Sequence, residues 1–127
     1  MRYTFPKSQR LTGKKEIDTV YKEGQTLKKF PFVVKYVRNV EMEDESLKAL
    51  FAVPKRRISK ATSRNKVRRK LKEAYRLHKH SLEKVLEDSN QKMALFFVYT
   101  GKENANYALL EEKIQLILNE LAKRIDE

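Results

Sequence analysis

The chain has 127 residues, of which 40% are hydrophobic and 36% charged, with a formal net charge of +12 and no cysteine. This length suits one domain around one modest core, and the lack of cysteine excludes disulfides, thiolate chemistry and cysteine-based zinc sites. No apolar run reaches the roughly 18 residues of a membrane span, and the N-terminal segment lacks the apolar region of a secretory signal. We expect one domain that works in the cytoplasm.

The beginning of the chain predicts a basic arm and a short helix. Residues 1–9 form the arm, which we expect to be flexible. Thr12 can cap a helix that runs to about Lys22, and Gly24 can end it. One apolar edge of this helix, at i, i+3, i+4 spacing, comprises Ile17, Val20 and Tyr21.

Two strands are predicted next. The segment Phe30–Val40 alternates, so one face should be buried and the other exposed to solvent. The buried face would carry Phe32, Val34 and Tyr36, and the solvent face Val33, Lys35 and Val37. The acidic segment Glu41–Glu45 predicts a loop or hairpin tip, and Leu47–Val53 predicts a second strand.

The second half of the chain predicts a basic helix, a strand and a last helix. Ser59 or Ser63 can cap the basic helix, whose apolar stripe comprises Val67, Leu71, Ala74, His78, Leu82 and Val85. Met93–Tyr99 is a continuous apolar run, typical of a central strand covered on both faces. Asn104 or Asn106 opens the last helix, whose 3.6-residue period comprises Leu110, Ile114, Ile117, Leu118, Leu121 and Ile125.

This order of elements predicts an α+β fold around one small sheet, α-β-β-α-β-α with room for one more strand. The strand–helix–strand connection through the basic helix would by default be right-handed.

Little in the sequence predicts a protein-borne active site. His78 and His80 are two positions apart on a helix, so they point about 200° apart and cannot share a metal ion. The carboxylates of Glu41–Glu45 are expected to be solvated charge. The three glycines are isolated, so no glycine-rich phosphate loop is present. We expect no catalytic residue and no metal site in this chain.

Nearly all of the excess positive charge lies in one window. Residues 54–80 hold twelve Lys and Arg against one acid, Glu73, whereas the other 100 residues hold 17 bases and 16 acids. A solvated helix face usually mixes signs in i, i+4 pairs. Cations at the start of the basic helix also oppose its dipole, at a cost of about 0.3–1 kcal/mol each, unless phosphates bind there. The window therefore predicts a nucleic acid partner.

The run Lys55–Arg76 (KRRISKATSRNKVRRKLKEAYR) resembles the signature of the bacterial ribonuclease P protein family. In that signature a strand ending in basic residues is followed by a linker and an Arg-Asn-Arg-type motif that opens a basic helix. The motif here is Arg64-Asn65-Lys66, with Glu73 and the aromatic Tyr75 further on. The likeness extends over nearly the whole chain, through Arg10-Leu11, the helix ending at Gly24, Phe32-Val33-Val34 and Leu95–Val98.

The resemblance implies a ribosomal-protein-S5-domain-2-like fold, in which the crossover between Leu47–Val53 and Met93–Tyr99 is left-handed. It implies the protein subunit of a ribonucleoprotein whose RNA removes the 5′ leader of precursor tRNA, with Mg²⁺ bound mainly by the RNA and the substrate. The free protein would be a monomer without an obligate protein partner.

The resemblance also implies two sets of site residues. The catalytic RNA would be bound by Lys55, Arg56, Arg57, Lys60, Arg64, Asn65, Lys66, Arg68, Arg69, Lys72 and Arg76. The single-stranded leader would lie in a cleft formed by Ile17, Tyr21, Val33 and Lys35. The chain departs from the family pattern at Lys66, where a bidentate arginine contact is lost, at Ile17 and Lys35, where aromatic residues are common, and at Tyr99, where a basic residue is common.

Two other functions fit the same charge. One is a non-catalytic RNA-binding protein of ribosomal or RNA-chaperone type, which would co-purify with ribosomal particles or mixed RNA. The other is a protein nuclease that cleaves RNA without an RNA partner.

Overall fold

The protein folds around a four-stranded sheet, in a computed structural model that describes residues 4–39, 45–103 and 105–126. In chain order the elements are a 3₁₀ turn (Lys7–Gln9), α1 (Lys14–Glu23), β1 (Gln25–Lys29), β2 (Phe32–Arg38), β3 (Leu47–Ala52), α2 (Ala61–His78), α3 (His80–Asp88), β4 (Met93–Tyr99) and α4 (Tyr107–Asp126). The strands lie in the order β1-β2-β4-β3, and only β3 and β4 pair in parallel. The predicted α+β fold is confirmed. The left hand of the β3–β4 crossover stays a prediction.

Three strands follow the prediction closely and one was missed. The missed strand, β1, pairs with β2 in a hairpin and buries only Leu27. An edge strand with a single buried side chain shows no alternation in its sequence, which explains the omission. The strand predicted from Phe30 begins at Phe32 instead, because Phe30 and Pro31 form the turn of this hairpin. Residues 41–44 of the predicted acidic loop lie outside the described residues.

The start of α1 differs from the prediction by one residue. Gly13, rather than Thr12, is the N-cap, and its carbonyl accepts the N–H of Ile17 at 2.9 Å. The chain just before it is still bound to the sheet, since the Leu11 N–H donates to the Ala49 carbonyl at 3.0 Å. This extended pairing delays the start of the helix.

The basic helix α2 is capped by neither predicted serine. Its N-cap is Lys60, and Ser63 lies inside the first turn, where its hydroxyl donates to Glu103 instead of bonding to its own backbone. In contrast, α4 begins as predicted after Asn106, whose Oδ1 accepts the Ala108 N–H at 2.8 Å. The alternative cap, Asn104, lies outside the described residues.

The apolar stripe of the basic helix is interrupted at Lys79, which separates α2 from α3. The Lys79 side chain is only 1% exposed; its Nζ donates to Gln9 Oε1 and lies 3.7 Å from Glu83 Oε2. Gln9 Nε2 in turn donates to Glu45 at 3.2 Å and to Glu83 at 3.3 Å. A polar cluster therefore holds the end of the N-terminal arm against the helix pair. That the arm is flexible stays a prediction.

Apolar clusters lie on both sides of the sheet. The main core is on the side covered by α2, α3 and α4, which we call the helix side, and it includes all six predicted apolar positions of α4. On the other side, the outer face, α1 covers a smaller cluster whose buried members are Leu11, Val20 and Ala94. The prediction that β4 is covered on both faces holds only near Ala94, because Phe96 and Val98 on the outer face are half-buried.

Gly24 ends α1 as predicted, but for a different reason from the one expected. Its φ is −71°, so no left-handed conformation requires a glycine. A Cβ there would instead lie 2.3 Å from the Val20 carbonyl and 3.1 Å from that of Tyr36. Glycine is needed because the backbones of α1 and β2 approach each other closely.

We expect Gly24→Ala to lower the free energy of unfolding by about 1–3 kcal/mol, because backbone atoms must shift. Gly13→Ala is the matched control, since a Cβ there meets only the flexible end of Glu16. Urea unfolding should show the larger loss for Gly24→Ala, and equal losses would contradict this account of the contact.

None of the helices in the described ranges combines the length and the apolar composition of a bilayer span.

Candidate nucleic-acid interface

The face of α2 that points away from the core carries a continuous row of basic side chains. The helix buries Val67, Leu71 and Ala74 against the core. At 100° per residue, one arc of about 100° on the other side contains Asn65, Arg68, Arg69, Lys72 and Arg76, and we call these five residues the basic stripe. Lys66 lies about 100° from the centre of this arc. The first turn of α2, which is wholly within the described residues, carries no acid.

Arg64 holds the backbone of the segment just before α2. Its Nη1 donates to the carbonyls of Ile58 at 3.0 Å and Ser59 at 2.7 Å. The preceding turn, residues 55–57, presents three exposed basic side chains, Lys55, Arg56 and Arg57, and Lys60 is exposed at the helix N-cap. Arg64 therefore fixes the backbone of residues 58–59, which precede the helix, and its other N–H groups can contact an anion.

Three residues of the stripe, Asn65, Arg68 and Arg76, have polar partners within α2. Arg68 Nη2 donates to Asn65 Oδ1, so Asn65 orients Arg68. Arg76 donates from Nε to Glu73 Oε2 at 3.1 Å, and this hydrogen bond lowers the pKa of Glu73 and raises that of Arg76. Since Glu73 offsets part of the Arg76 charge, Arg68, Arg69 and Lys72 form the more strongly cationic part of the stripe.

Arg10 joins this surface, although it was not among the predicted site residues. The pKa of Lys72 is lowered, first by partial burial and then by the positive charges of Arg10 and Arg68. Arg10 is held beside β3 by a parallel bridge to Ala49, and its guanidinium lies 5.4 Å from the Phe5 ring centroid. Three cations from two segments therefore converge. No local pattern in the sequence indicates this, because Arg10 and α2 are far apart in the chain and meet only in the folded protein.

The aromatic residue of the signature, Tyr75, belongs to the core and not to the surface. Its side chain is fully buried, and its ring centroid lies 5.1 Å from that of Phe5 and 5.3 Å from that of Phe51. Burial raises the pKa of its hydroxyl well above the usual value. Tyr75 thus anchors the arm, which leads directly into Arg10.

On the outer face, α1 and the sheet bring three of the four predicted cleft residues to one open surface, together with Phe96. Tyr21 is 58% exposed, and its ring centroid lies 6.2 Å from that of Phe96. Lys35 Nζ lies 6.0 Å from the Tyr21 centroid and donates to Thr26 Oγ1 at 2.6 Å. Val33 is half-buried and pairs with Val98 in the next row of the sheet. We call Tyr21, Val33, Lys35, Phe96 and Val98 the outer-face cleft.

The fourth predicted residue, Ile17, contributes to the floor under α1. It is half-buried and packs against the cluster of Leu11, Val20 and Ala94. Sequence reasoning missed Phe96, because the continuous apolar run of β4 does not show which side chains face out. Its position follows from that of Phe97. Because Phe97 is in the core and side chains alternate along a strand, Phe96 lies on the opposite face.

The basic stripe and the outer-face cleft are connected around the edge of β3. Phe5 packs into the core on the helix side, whereas Leu11 belongs to the cluster on the outer face. The arm therefore crosses from one side of the sheet to the other along β3, with Arg10 between the two surfaces.

The described residues do not fit a protein-bound metal ion. Among residues 4–39, 45–103 and 105–126, no three His, Asp or Glu side chains lie together so as to hold one. His78 Nε2 is 3.4 Å from Glu111, and His80 Nδ1 is 3.4 Å from Glu83, in separate pairs.

The family model for ribonuclease P matches residues 5–122, a span that contains the basic stripe and the outer-face cleft. The chain belongs to the ribonuclease P protein family. The ribonuclease P protein component of Porphyromonas gingivalis (strain ATCC 33277) is 33% identical over 123 residues, covering 97% of this chain and 90% of that protein.

Solved structures of ribonuclease P proteins have the same fold. The protein from Thermotoga maritima superposes with a TM-score of 0.67 at 25% identity, covering 90% of this chain and 96% of that one. A Staphylococcus aureus ribonuclease P protein mutant, described as having defective mRNA degradation activity, superposes with a TM-score of 0.72 at 18% identity, covering 90% and 88%.

Proposed function

We propose that this ribonuclease P protein acts as the RNA-binding subunit of a ribonucleoprotein whose RNA removes the 5′ leader from precursor tRNA. The observation that carries the proposal is the pair of surfaces on opposite sides of one sheet. One is the basic stripe on α2, a helix whose first turn carries no acid. The other is the outer-face cleft, with an exposed aromatic ring and a lysine. The first suits a folded RNA with crowded phosphates, and the second suits single-stranded RNA.

The catalytic RNA would bind the basic stripe, the turn at residues 55–57 and Arg10. Cations that replace the counterions of phosphates make binding strong at low salt and weak at high salt. The open N–H groups at the start of α2, beside Lys60, add a further anion site at the helix N-terminus. On this proposal the RNA performs the hydrolysis with magnesium ions that it and the substrate hold.

The leader would lie in the outer-face cleft. A base can stack on the exposed Tyr21 ring, which Phe96 supports from behind, while Lys35 contacts a phosphate. Mature tRNA has no leader, so contacts in this cleft stabilise the precursor complex alone. This difference would let the enzyme bind its substrate more tightly than its product.

The test is reconstitution with a bacterial ribonuclease P RNA and a precursor tRNA. We expect the protein to increase leader cleavage at low magnesium and to be inactive alone. A non-catalytic RNA chaperone would leave turnover by that RNA unchanged at a saturating protein concentration, and a protein nuclease would cleave the precursor after all RNA had been digested from the preparation. Either of those results would overturn the proposal.

A further inference from the structure

The turn between β1 and β2 exposes an aromatic side chain that the proposed contacts do not use. Phe30 is 74% exposed, the highest value among the large hydrophobic residues that the structure describes. It follows Lys28 and Lys29, which are also exposed. We call residues 28–30 the hairpin tip.

The backbone of the hairpin tip is fixed although its side chains are free. The two strands pair up to Lys29 and Phe32, and Phe32 is buried against Phe97 and Tyr99. The carbonyl of buried Pro31 accepts the Thr100 N–H at 2.8 Å. Phe30 is thus presented on a rigid scaffold, so binding a partner costs little conformational entropy.

Three lysines lie near the turn that carries this ring. Lys102 is exposed and follows Gly101, where a Cβ would lie 2.9 Å from the Pro31 side chain. Among the described residues, Lys28, Lys29 and Lys102 form no ion pair. The acid that shares a surface depression with Lys29 is Glu120, which pairs with Arg124 at 3.3 Å. An exposed ring among cations suits a nucleic acid base with its flanking phosphates.

The hairpin tip continues the outer-face cleft. Lys35 pairs with Phe96 in one row of the sheet, and Val33 pairs with both Val98 and Lys28 in the next. At about 3.3 Å per residue, the turn lies about 13 Å beyond Lys35 along β2. At a stacked spacing of about 3.4 Å that distance corresponds to no more than about four nucleotides.

We propose that the hairpin tip binds single-stranded leader that extends beyond the outer-face cleft, with Phe30 stacking on a base and Lys28, which lies in the same row of the sheet as Val33, contacting a phosphate. This inference rests on the proposed function, since it extends the path of the same strand. It predicts that Phe30 contributes to affinity only for leaders longer than those for which Tyr21 already contributes.

The experiment measures affinity of the reconstituted holoenzyme for precursor tRNAs whose leaders are lengthened one nucleotide at a time. Phe30→Ala should not change the affinity for the shortest leaders and should lower it roughly five- to 150-fold once the leader reaches the tip. Phe30→Trp should keep the affinity and Phe30→Leu should lose it, because stacking requires a ring. The control Leu77→Ala removes another exposed apolar side chain, near the C-terminal end of α2 and outside the basic stripe, and should have no effect.

Each other outcome overturns the inference in a recognisable way. If Phe30→Ala has no effect at any leader length while Tyr21→Ala does, the hairpin tip is not part of the path and the proposed function stands. If neither variant matters, the leader does not use the outer face. If Phe30→Ala lowers the affinity for mature tRNA equally, the hairpin tip contacts the tRNA body or the catalytic RNA. If the protein sediments as a dimer and Phe30→Ala abolishes that dimer, the partner of the tip is a second copy of this chain.

Discussion

Substituting alanine for Arg10, Arg68 and Lys72 together is expected to weaken binding of the catalytic RNA and to flatten its salt dependence. These cations lie close enough for two of them to lower the pKa of the third, so bound phosphates would relieve their mutual repulsion. If each contacts one phosphate, the slope of log affinity against log salt should fall in magnitude by about 2–3. Filter binding over a range of salt concentrations measures this slope.

A triple variant with the same change in charge elsewhere provides the control. Lys84, Lys113 and Lys123 lie on α3 and α4, away from the basic stripe, and their replacement by alanine should leave the slope nearly unchanged. Thermal melting would show that both variants are folded. If the two variants lower the slope equally, binding depends on total charge and not on the site described.

Within the first variant, Arg10→Ala alone is informative. It should lower the slope by about 0.7–0.9, the value for one phosphate contact, although Arg10 lies outside the basic window of the sequence. An unchanged slope for this single variant would remove Arg10 from the interface.

Tyr21→Ala is expected to lower the affinity of the holoenzyme for leader-bearing tRNA by about 1–3 kcal/mol, the value of one stacked base. The ring is mostly exposed, so its removal should change stability little, and the affinity for mature tRNA should not change. Phe96→Leu removes the ring that packs against Tyr21. It is expected to lower the affinity for leader-bearing tRNA by less than Tyr21→Ala does. Fluorescence titrations with precursor and mature tRNA measure both affinities.

Tyr107→Ala is the comparison for the loss of a tyrosine ring. Tyr107 lies on α4, on the helix side of the sheet, and this variant should bind precursor tRNA like the unaltered protein. Equal losses for precursor and mature tRNA with Tyr21→Ala would indicate a structural role for Tyr21 instead of a contact with the leader.

Local patterns in the sequence predicted the elements that have strong periodicity. Met93–Tyr99 has the predicted bounds, and all six apolar positions of α4 are buried. Patterns were weak where an element is short, exposed or held by distant contacts. That explains why β1 was missed, why the cap of α2 is Lys60, and why the helix predicted to continue to Val85 is broken at buried Lys79.

By itself, the sequence determined the position of the positive charge, the kind of partner that such charge suits and the buried faces of β2 and α4, because these depend on residue type and on spacing within one segment. Only the tertiary structure decided which segments meet. Strand pairing places Phe96 beside Lys35, and α1 places Tyr21 next to Phe96. The bridge to β3 places Arg10 near enough to Lys72 to lower its pKa. Periodicity specifies which way a side chain faces, whereas register and long-range packing specify what it faces.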